Sequence, residues 1–304
     1  MPLSPLPPPS RGPLNLWRAL RGGLFFTLLL ALVLLCNLIQ MLSVPLLLVS
    51  RRAVRAVNRL AGGTWWAACD WLSQHMLGIE VVMSGDDPPP RENVLVTANH
   101  QSMSDVPSLF RLARRKGRIG DLKWFVKDSL KYVPGLGWGM VLLDCVFLKR
   151  DWRRDEPRVR AQLTRFREER IPIWTLSFVE GTRVRPKKLA QAAEYAASRG
   201  LAPLQHLIFP RTKGFTLTID ALRGHFDAVY DATIGYEGGV PSIKQWCRGD
   251  VRRVCVHVRR FPISSLPEGE EALAEWLRER WYEKDALLDH FYREGRWPEG
   301  GGAD

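Results

Sequence analysis

The sequence predicts an α/β fold in which helices flank a mostly parallel central sheet, with an N-terminal membrane-embedded helix or helical hairpin. An almost purely apolar run occupies residues 24–49. Beyond it, short apolar runs of strand length alternate with stretches in which apolar residues recur at helical spacing. Several of the short runs are followed by charged or glycine-containing motifs, which is where ligand-binding turns lie in a parallel sheet.

Composition limits the kind of protein this can be. The chain has 304 residues, which is enough for one catalytic domain and an additional N-terminal segment, and its net charge is +12. The basic surplus suits phosphate-bearing partners, namely anionic lipid surfaces, phosphorylated substrates or nucleic acid. The five cysteines are widely spaced and form no C-x-x-C pair, so we expect neither a disulfide framework nor a metal site, and we expect a reducing, cytoplasm-facing domain.

The apolar run at residues 24–49 exceeds the roughly 20 residues needed to span hydrocarbon. A single tilted span and a re-entrant hairpin kinked at Pro45 both fit it, and arginines on both sides leave its orientation open. The run is too long for a cleaved secretory signal, and no small-x-small site follows it. Residues 60–79 carry three tryptophans and fit either an interfacial amphipathic helix or an ordinary core helix.

The order of segments predicts five regions. They are a basic N-terminal tail (1–23), a membrane-spanning or interfacial helical segment (24–84), a linker (85–92), a catalytic domain (93–298) and a flexible C-terminal tail (299–304). Within the domain, strands are predicted at residues 94–98, 122–126, 145–148, 171–178, 206–209, 228–235 and 251–258. Helices are predicted at residues 155–169, 215–222 and 267–291, and one begins near residue 105.

The first candidate for catalysis follows the predicted strand at 94–98. His100 and Asp105 are five residues apart and do not share a helix face. They can meet if His100 lies in the turn after the strand and Asp105 near the start of the next helix, where Ser104 and Pro107 also fit. The carboxylate would then hold the imidazole while its other nitrogen takes a hydroxyl proton. A histidine that only bridges a turn would give the same local sequence.

The second candidate is Glu180-Gly181-Thr182-Arg183, directly after the predicted strand at 171–178. The Gly-Thr turn provides backbone amides and a hydroxyl that can bind an anion, and the Arg183 guanidinium can bind phosphate through two hydrogen bonds. Glu180 could orient the arginine or a substrate hydroxyl. A surface turn with solvated charges would have the same composition. Parallel strands would bring these motifs to one edge of the sheet, together with Arg150 and Pro210, which follow other apolar runs.

Taken together, the blocks resemble the glycerolipid acyltransferases typified by lysophosphatidic acid acyltransferase. The shared blocks, in order, are H-x4-D at His100 and Asp105, K-x-x-L-x-x-x-P-x-x-G at Lys127, Pro134 and Gly137, F-x-x-R at Phe147 and Arg150, and E-G-T-R at Glu180 to Arg183. Residues 210–215, 228–234 and 276–285 look like the lysocardiolipin acyltransferase-like branch and its bacterial relatives. The likeness covers roughly residues 93–298, and Met103 departs from it where many members carry a bulky aromatic.

The resemblance implies transfer of a fatty acyl group from acyl-CoA or acyl carrier protein to the free hydroxyl of a lysophospholipid such as 1-acylglycerol-3-phosphate. It implies that His100 is the base, that Asp105 holds it, and that residues 180–183 grip the acceptor phosphate. Substrate binding would also involve Phe147, Arg150 and Pro210, with Lys127 or a backbone amide near the oxyanion. We expect no cofactor and a membrane location, which in a bacterium is the cytoplasmic (inner) membrane with the site facing the cytoplasm.

Two other classes of protein fit parts of the sequence. One is a non-catalytic, basic protein that binds membrane surfaces or nucleic acid through the arginines and lysine of residues 111–118. Aromatic residues are sparse in that cluster, so we expect no nucleic-acid partner. The other is a lipid hydrolase that uses the same histidine with water as the acceptor.

Overall fold

The computed structural model describes residues 4–9, 13–149 and 151–298. Its strands are β1 (Glu80–Gly85), β2 (Val94–Ala98), β3 (Leu122–Lys127), β4 (Val146–Leu148), β5 (Trp174–Ser177), β6 (Ala228–Tyr236) and β7 (Arg253–Pro262). Its α-helices are α1 (Pro13–Ser43), α2 (Arg51–His75), α3 (Asp105–Arg115), α4 (Leu136–Leu142), α5 (Trp152–Glu168), α6 (Pro186–Ser198), α7 (Thr212–Leu222), α8 (Ile243–Arg248) and α9 (Glu270–Glu294).

The seven strands form one sheet in the order β1-β7-β6-β2-β5-β3-β4. Every neighbouring pair is parallel except β6 and β7. The predicted α/β class with a mostly parallel sheet is therefore confirmed. Because β2 lies between β5 and β6, the turns that follow β2 and β5 are neighbours at the carboxyl edge of the sheet.

Helices cover both faces of the sheet, and the central strands are buried on both sides. Every residue of β2 and of β6 is buried. Along β2, Val94 and Val96 pack into the core that α2 and α3 close, whereas Leu95 packs into the core that α5, α7 and α9 close. This alternation of side chains is why parallel strands read as continuous apolar runs in the sequence.

The two N-terminal helices pack against each other as a hairpin, and most of the predicted apolar run lies in the single helix α1. A short 3-10 helix (Val44–Leu48) joins α1 to α2, and the Trp65 indole donates a hydrogen bond of 3.0 Å to the Leu29 carbonyl. α1 also packs on the domain, because Gly22 lies against α8 and Gly139 of α4 lies against polar side chains of α1. Within the described residues, α1 and the turn after it are the one segment long and apolar enough to cross a membrane.

α2 covers the segment predicted as either an interfacial or a core helix. Trp66 is buried among core aromatics, and Trp71 is half exposed. The helix therefore packs as a core helix on one face. Its other face remains accessible.

The prediction of a strand at residues 206–209 is wrong. The Asp285 carboxylate accepts hydrogen bonds from the amides of Gln205, His206 and Leu207, and the Trp281 indole donates to the Ile208 carbonyl. Because side chains of α9 satisfy these backbone groups, the buried segment needs no strand partner.

The sheet begins earlier in the chain than the predicted domain start at residue 93. β1 pairs with β7 from Glu80 onward, ahead of the polar residues predicted as a linker. At the chain ends, the last part of the predicted basic tail forms the first turns of α1. The predicted tail at 299–304 lies outside the described residues.

Candidate active site

The turn that carries His100 is anchored at its start by Asn99. The Asn99 side chain donates to the Ile234 carbonyl at 3.0 Å and accepts from the Ile234 amide at 2.7 Å. It thereby bridges the end of β2 to β6. The chain leaves the sheet at a fixed position, and His100 is the next residue.

His100 and Asp105 meet as the sequence predicts. His100 Nδ1 lies 2.9 Å from Asp105 Oδ2. A carboxylate only accepts hydrogen bonds, so Nδ1 carries the proton in the neutral ring and Nε2 has the free lone pair. Nε2 has no hydrogen-bond partner within the described part of the chain.

Asp105 is the first residue of α3 and is fully buried. Its Oδ2 also accepts from the amides of Gln101 at 2.7 Å and Ser102 at 2.8 Å. Its Oδ1 accepts from the Tyr236 hydroxyl at 2.6 Å. Burial raises the pKa of Tyr236 well above its ordinary value, so this hydroxyl stays protonated and keeps donating. The carboxylate is therefore held by four donors.

The imidazole is also held by stacking. Its centroid lies 4.1 Å from that of the Phe178 ring, with 18° between the two planes. The His100 side chain keeps 14% of its surface exposed. The ring is thus fixed between a carboxylate and an aromatic face, with part of it accessible.

Glu180 lies behind His100 and is buried. Its Oε2 accepts from the His100 amide at 3.2 Å, and its Oε1 is buried with no partner among the described residues. Burial raises the pKa of this carboxyl well above its ordinary value. The sequence predicted that Glu180 orients Arg183 or a substrate hydroxyl, which stays a prediction; in the structure its side chain supports the backbone of His100.

The turn after Glu180 is tied to His100. Gly181 has a φ of 69°, and a Cβ there would lie 2.8 Å from Nε of Arg211, so glycine is favoured at this position. The Val184 amide donates to the His100 carbonyl at 2.8 Å. Thr182 and Arg183 between them are half-buried, and the Arg183 guanidinium makes no ion pair with any described residue.

The other predicted site residues lie around the same edge. Pro210 is buried beside this turn, because the amide of its neighbour Arg211 donates to the Val179 carbonyl at 2.7 Å. Lys127 is exposed at the end of β3, and Phe147 of β4 is half-buried. β3 and β4 lie beyond β5, so these two are farther from His100. Arg150 lies outside the described residues.

Sequence reasoning missed Asn99, Phe178, Tyr236 and the pair formed by Gln101 and Tyr292, whose side chains are 2.7 Å apart. Tyr236 ends β6. The argument that polar residues gather where parallel strands end would have found it. Tyr292 comes from α9, and no local pattern links it to the site.

The basic cluster at residues 111–118 is largely paired. Arg114 bonds Asp70 at 3.0 Å, Arg118 bonds Asp121 at 3.1 Å, and Lys116 bonds Asp87. A cation that is already paired with a carboxylate attracts a nucleic-acid phosphate less strongly. This pairing weakens the nucleic-acid alternative.

Two protein-family models match the chain: Acyltransferase over residues 80–215 and Acyltransferase C-terminus over residues 245–303. A probable 1-acyl-sn-glycerol-3-phosphate acyltransferase 5 of Arabidopsis thaliana is 34% identical over 96% of this chain and 79% of its own length. Lysocardiolipin acyltransferase 1 of Danio rerio is 33% identical over 89% of this chain and 71% of its own length.

A crystal structure has the same fold. It is that of the 1-acyl-sn-glycerophosphate (LPA) acyltransferase PlsC from Thermotoga maritima, with a TM-score of 0.55 and 17% identity, and the match covers 94% of this chain and 98% of that one. With the matched family models and relatives, this establishes that the chain belongs to the lysophosphatidic acid acyltransferase-like family and is an O-acyltransferase.

Proposed function

We propose that this protein transfers a fatty acyl group from a thioester to the free hydroxyl of a lysophospholipid, with His100 as the general base. The observation that carries the proposal is the pair of His100 and Asp105 at the carboxyl edge of the sheet, with Nε2 of His100 unpartnered among the described residues. The names of the relatives, which include 1-acyl-sn-glycerol-3-phosphate and lysocardiolipin acyltransferases, support a lysophospholipid acceptor.

In this mechanism, Nε2 of His100 takes the proton of the acceptor hydroxyl as the oxygen attacks the thioester carbonyl carbon. Asp105 stabilises the imidazolium that forms. The tetrahedral intermediate then collapses, the C–S bond breaks, and the imidazolium returns the proton to the leaving sulfur. The products are an ester and a free thiol, and no covalent acyl-enzyme is needed.

We assign the acceptor phosphate to Arg183 and Thr182. Arg183 has no competing carboxylate among the described residues, and a guanidinium binds phosphate oxygens in a bidentate manner. The bond from Val184 to His100 keeps this turn beside the base. A phosphate held there would bring the glycerol hydroxyl of the same molecule towards Nε2.

The remaining predicted residues extend the site along the same edge. Pro210 shapes the side next to Glu180, whereas Lys127 and Phe147 lie on the side of β3 and β4. We assign these two to substrate binding, with Lys127 a candidate for stabilising the oxyanion. A role of Arg150 in substrate binding stays a prediction.

The membrane is the proposed location of the enzyme. Most large side chains on the outward face of α1 are apolar and exposed, Leu24, Leu28, Leu38 and Leu42 among them. An apolar face of this size on a helix attached to the domain suits burial in lipid. In a bacterium this places the protein at the cytoplasmic membrane, with the site facing acyl-CoA or acyl carrier protein in the cytoplasm.

The test is product analysis. Full-length protein is incubated with a panel of lysophospholipids and with either acyl-CoA or acyl carrier protein as donor, and the products are read by mass spectrometry. We expect an acylated lysophospholipid and one equivalent of free thiol. Release of free fatty acid at the same rate with and without lysophospholipid would contradict the proposal and identify a hydrolase.

A further inference from the structure

A cavity lies between the start of α1 and the sheet edge formed by β1 and β7. Its volume is about 570 Å³. Ligand-binding pockets are typically about 300–1,000 Å³, so it can hold the polar headgroup of a phospholipid. Neither the general base nor the acceptor turn contributes to it.

The cavity is positively charged. Four arginines line it, Arg18 and Arg21 of α1, Arg252 just before β7 and Arg253 at its first position. The acidic residues of the lining are two glutamates, Glu80 and Glu237. Both glutamates bond Arg253, at 3.0 and 3.4 Å. The lining therefore carries two more positive than negative charges.

Two of these arginines are available to a ligand. Arg252 is exposed and makes no ion pair within the described ranges. Arg21 makes one long hydrogen bond of 3.4 Å to the Leu77 carbonyl, and its Nε is buried with no described acceptor. A buried donor without an acceptor is unfavourable. Phosphate oxygens would satisfy it and would attract Arg252 as well.

The cavity is separate from the catalytic centre and lies at the same edge of the sheet. β6 is parallel to β2 and ends at Tyr236 opposite Val254, so the first residues of β1 and β7 lie at the carboxyl edge. β1 is three strand spacings from β2, about 14 Å. Arg183 follows β5 on the other side of β2.

The source of the anion is indicated by the apolar residues at the cavity. Leu14 and Trp17 line it and are 63% and 61% exposed, and they belong to the outward face of α1. Tryptophan is enriched where headgroups meet hydrocarbon. With that face in lipid, the arginines lie at the depth of the headgroups and the lipid chains can lie along α1.

We propose that this cavity binds the phosphate-bearing headgroup of an anionic membrane phospholipid. The bound lipid bridges α1 to the sheet and holds the catalytic edge against anionic membranes. This inference rests on the proposed placement of α1 in the membrane and is independent of the assigned chemistry of His100.

The experiment is flotation of full-length protein with vesicles of phosphatidylcholine alone or mixed with phosphatidylglycerol. The wild type should bind the mixed vesicles more tightly. Arg252→Glu should weaken binding to the mixed vesicles by about fivefold or more and leave binding to neutral vesicles unchanged. Arg21→Gln, which keeps most of the side chain, should act in the same direction.

Arg115→Glu is the matched control. Arg115 is an exposed arginine at the last residue of α3, and the neighbouring Lys116 carbonyl accepts from the Arg91 amide ahead of β2, which places it at the opposite edge. The same charge reversal there should leave vesicle binding at the wild-type level. Equal losses in Arg115→Glu and Arg252→Glu would overturn the proposal in favour of non-specific attraction.

Two further outcomes would also overturn it. If the wild type binds mixed and neutral vesicles equally, while isothermal titration shows inorganic phosphate bound by the wild type and not by Arg252→Glu, the site binds free phosphate and no lipid headgroup. If the wild type binds neither kind of vesicle, the placement of α1 in the membrane fails together with the cavity proposal. Acyl transfer to a water-soluble, short-chain lysolipid would still test the role of His100 separately.

Discussion

Asp105 accepts hydrogen bonds from two amides, a tyrosine hydroxyl and an imidazole, all at 2.9 Å or less. Such a carboxylate cannot rotate without losing several bonds at once. His100 is thereby held in one tautomer and one orientation, which is what a general base needs. The stacking on Phe178 fixes the remaining freedom of the ring.

The role of Asp105 is tested by Asp105→Asn. An amide cannot accept from all four donors, so the imidazole should lose its favoured tautomer, and kcat should fall by about 10³–10⁴-fold. Tyr236→Phe removes one donor and should lower kcat by only about tenfold. Steady-state kinetics at saturating donor measure both. A wild-type kcat in Asp105→Asn would refute the pair as the catalytic unit.

The acceptor turn is tested by Arg183→Ala. Loss of the phosphate contact should raise KM for a phosphomonoester lysolipid by about 10–100-fold while kcat changes little. Arg185→Ala, two residues away on an exposed side chain, is the control and should leave KM unchanged. Titration of lysolipid at fixed donor gives both constants. Equal KM values in the two variants would exclude Arg183 from acceptor binding.

Glu180 makes stability depend on pH. Burial raises its pKa in the folded state above the ordinary 4.5, so the folded state binds more protons than the unfolded state above that pH. The free energy of unfolding should therefore fall as pH rises from about 4.5 towards the raised pKa, with a slope of at most about 1.4 kcal/mol per pH unit.

Glu180→Gln is the corresponding variant. The amide oxygen can still accept from His100, but it does not titrate. We expect a weaker decline of stability with pH than in the wild type. Urea unfolding at several pH values measures the slopes, and identical slopes would show that Glu180 does not carry the effect.

At the scale of elements, a buried ion pair between Lys284 of α9 and Asp231 of β6 connects the helix to the sheet. Lys284 is fully buried, with Nζ 2.7 Å from Asp231 and 2.6 Å from the Ala232 carbonyl. Arg259 bonds the other oxygen of Asp231 at 2.8 Å. Burial alone would raise the pKa of Asp231, but the two cations hold it below its ordinary value. The Asp231 carboxylate is therefore charged, and it stabilises the positive charges of Lys284 and Arg259.

Asp231→Ala should cost about 3–5 kcal/mol of unfolding free energy, because it leaves Lys284 buried without a counter-charge. Asp289→Ala is the control on the same helix. Asp289 pairs with His206 and Arg293 near the surface, so its loss should cost at most about 1 kcal/mol. Urea denaturation measures both, and equal costs would contradict the argument.

Elements with a strong local pattern were predictable from the sequence. β2, α3 and α9 were predicted within a few residues, because buried strands and amphipathic helices carry their own periodicity. β1 was missed, since its partner β7 lies far along the chain and the strand directly follows the turn after α2. The strand predicted at residues 206–209 was wrong because this mostly apolar segment is buried against α9 and does not pair in the sheet.

The site was predictable to the same degree. His100, Asp105 and the turn at residues 180–183 follow buried strands, and parallel pairing brings them together. Tyr236 and Asn99 act through hydrogen bonds to residues more than a hundred positions away. Their positions at strand ends place them near the site, but the sequence does not specify which distant residues they bond.

At the scale of the whole molecule, α1 presents an apolar face to the surroundings while its other face packs on α2, α4 and α8. Replacing two outward leucines, as in Leu38→Asp combined with Leu42→Asp, should sharply reduce binding to neutral vesicles. The double variant Leu38→Ala with Leu42→Ala is the control for the smaller side-chain volume, and it should retain most of the binding to neutral vesicles. Vesicle flotation measures both, and unchanged binding of the aspartate variant would contradict burial of this face.

The most direct test of the central claim is the single-turnover rate of acyl transfer to a lysophospholipid by His100→Ala. Removal of the general base should lower this rate by about 10²–10⁴-fold, with the protein still folded and vesicle binding unchanged. A rate equal to that of the wild type in a folded, membrane-bound variant would show that His100 does not take the hydroxyl proton.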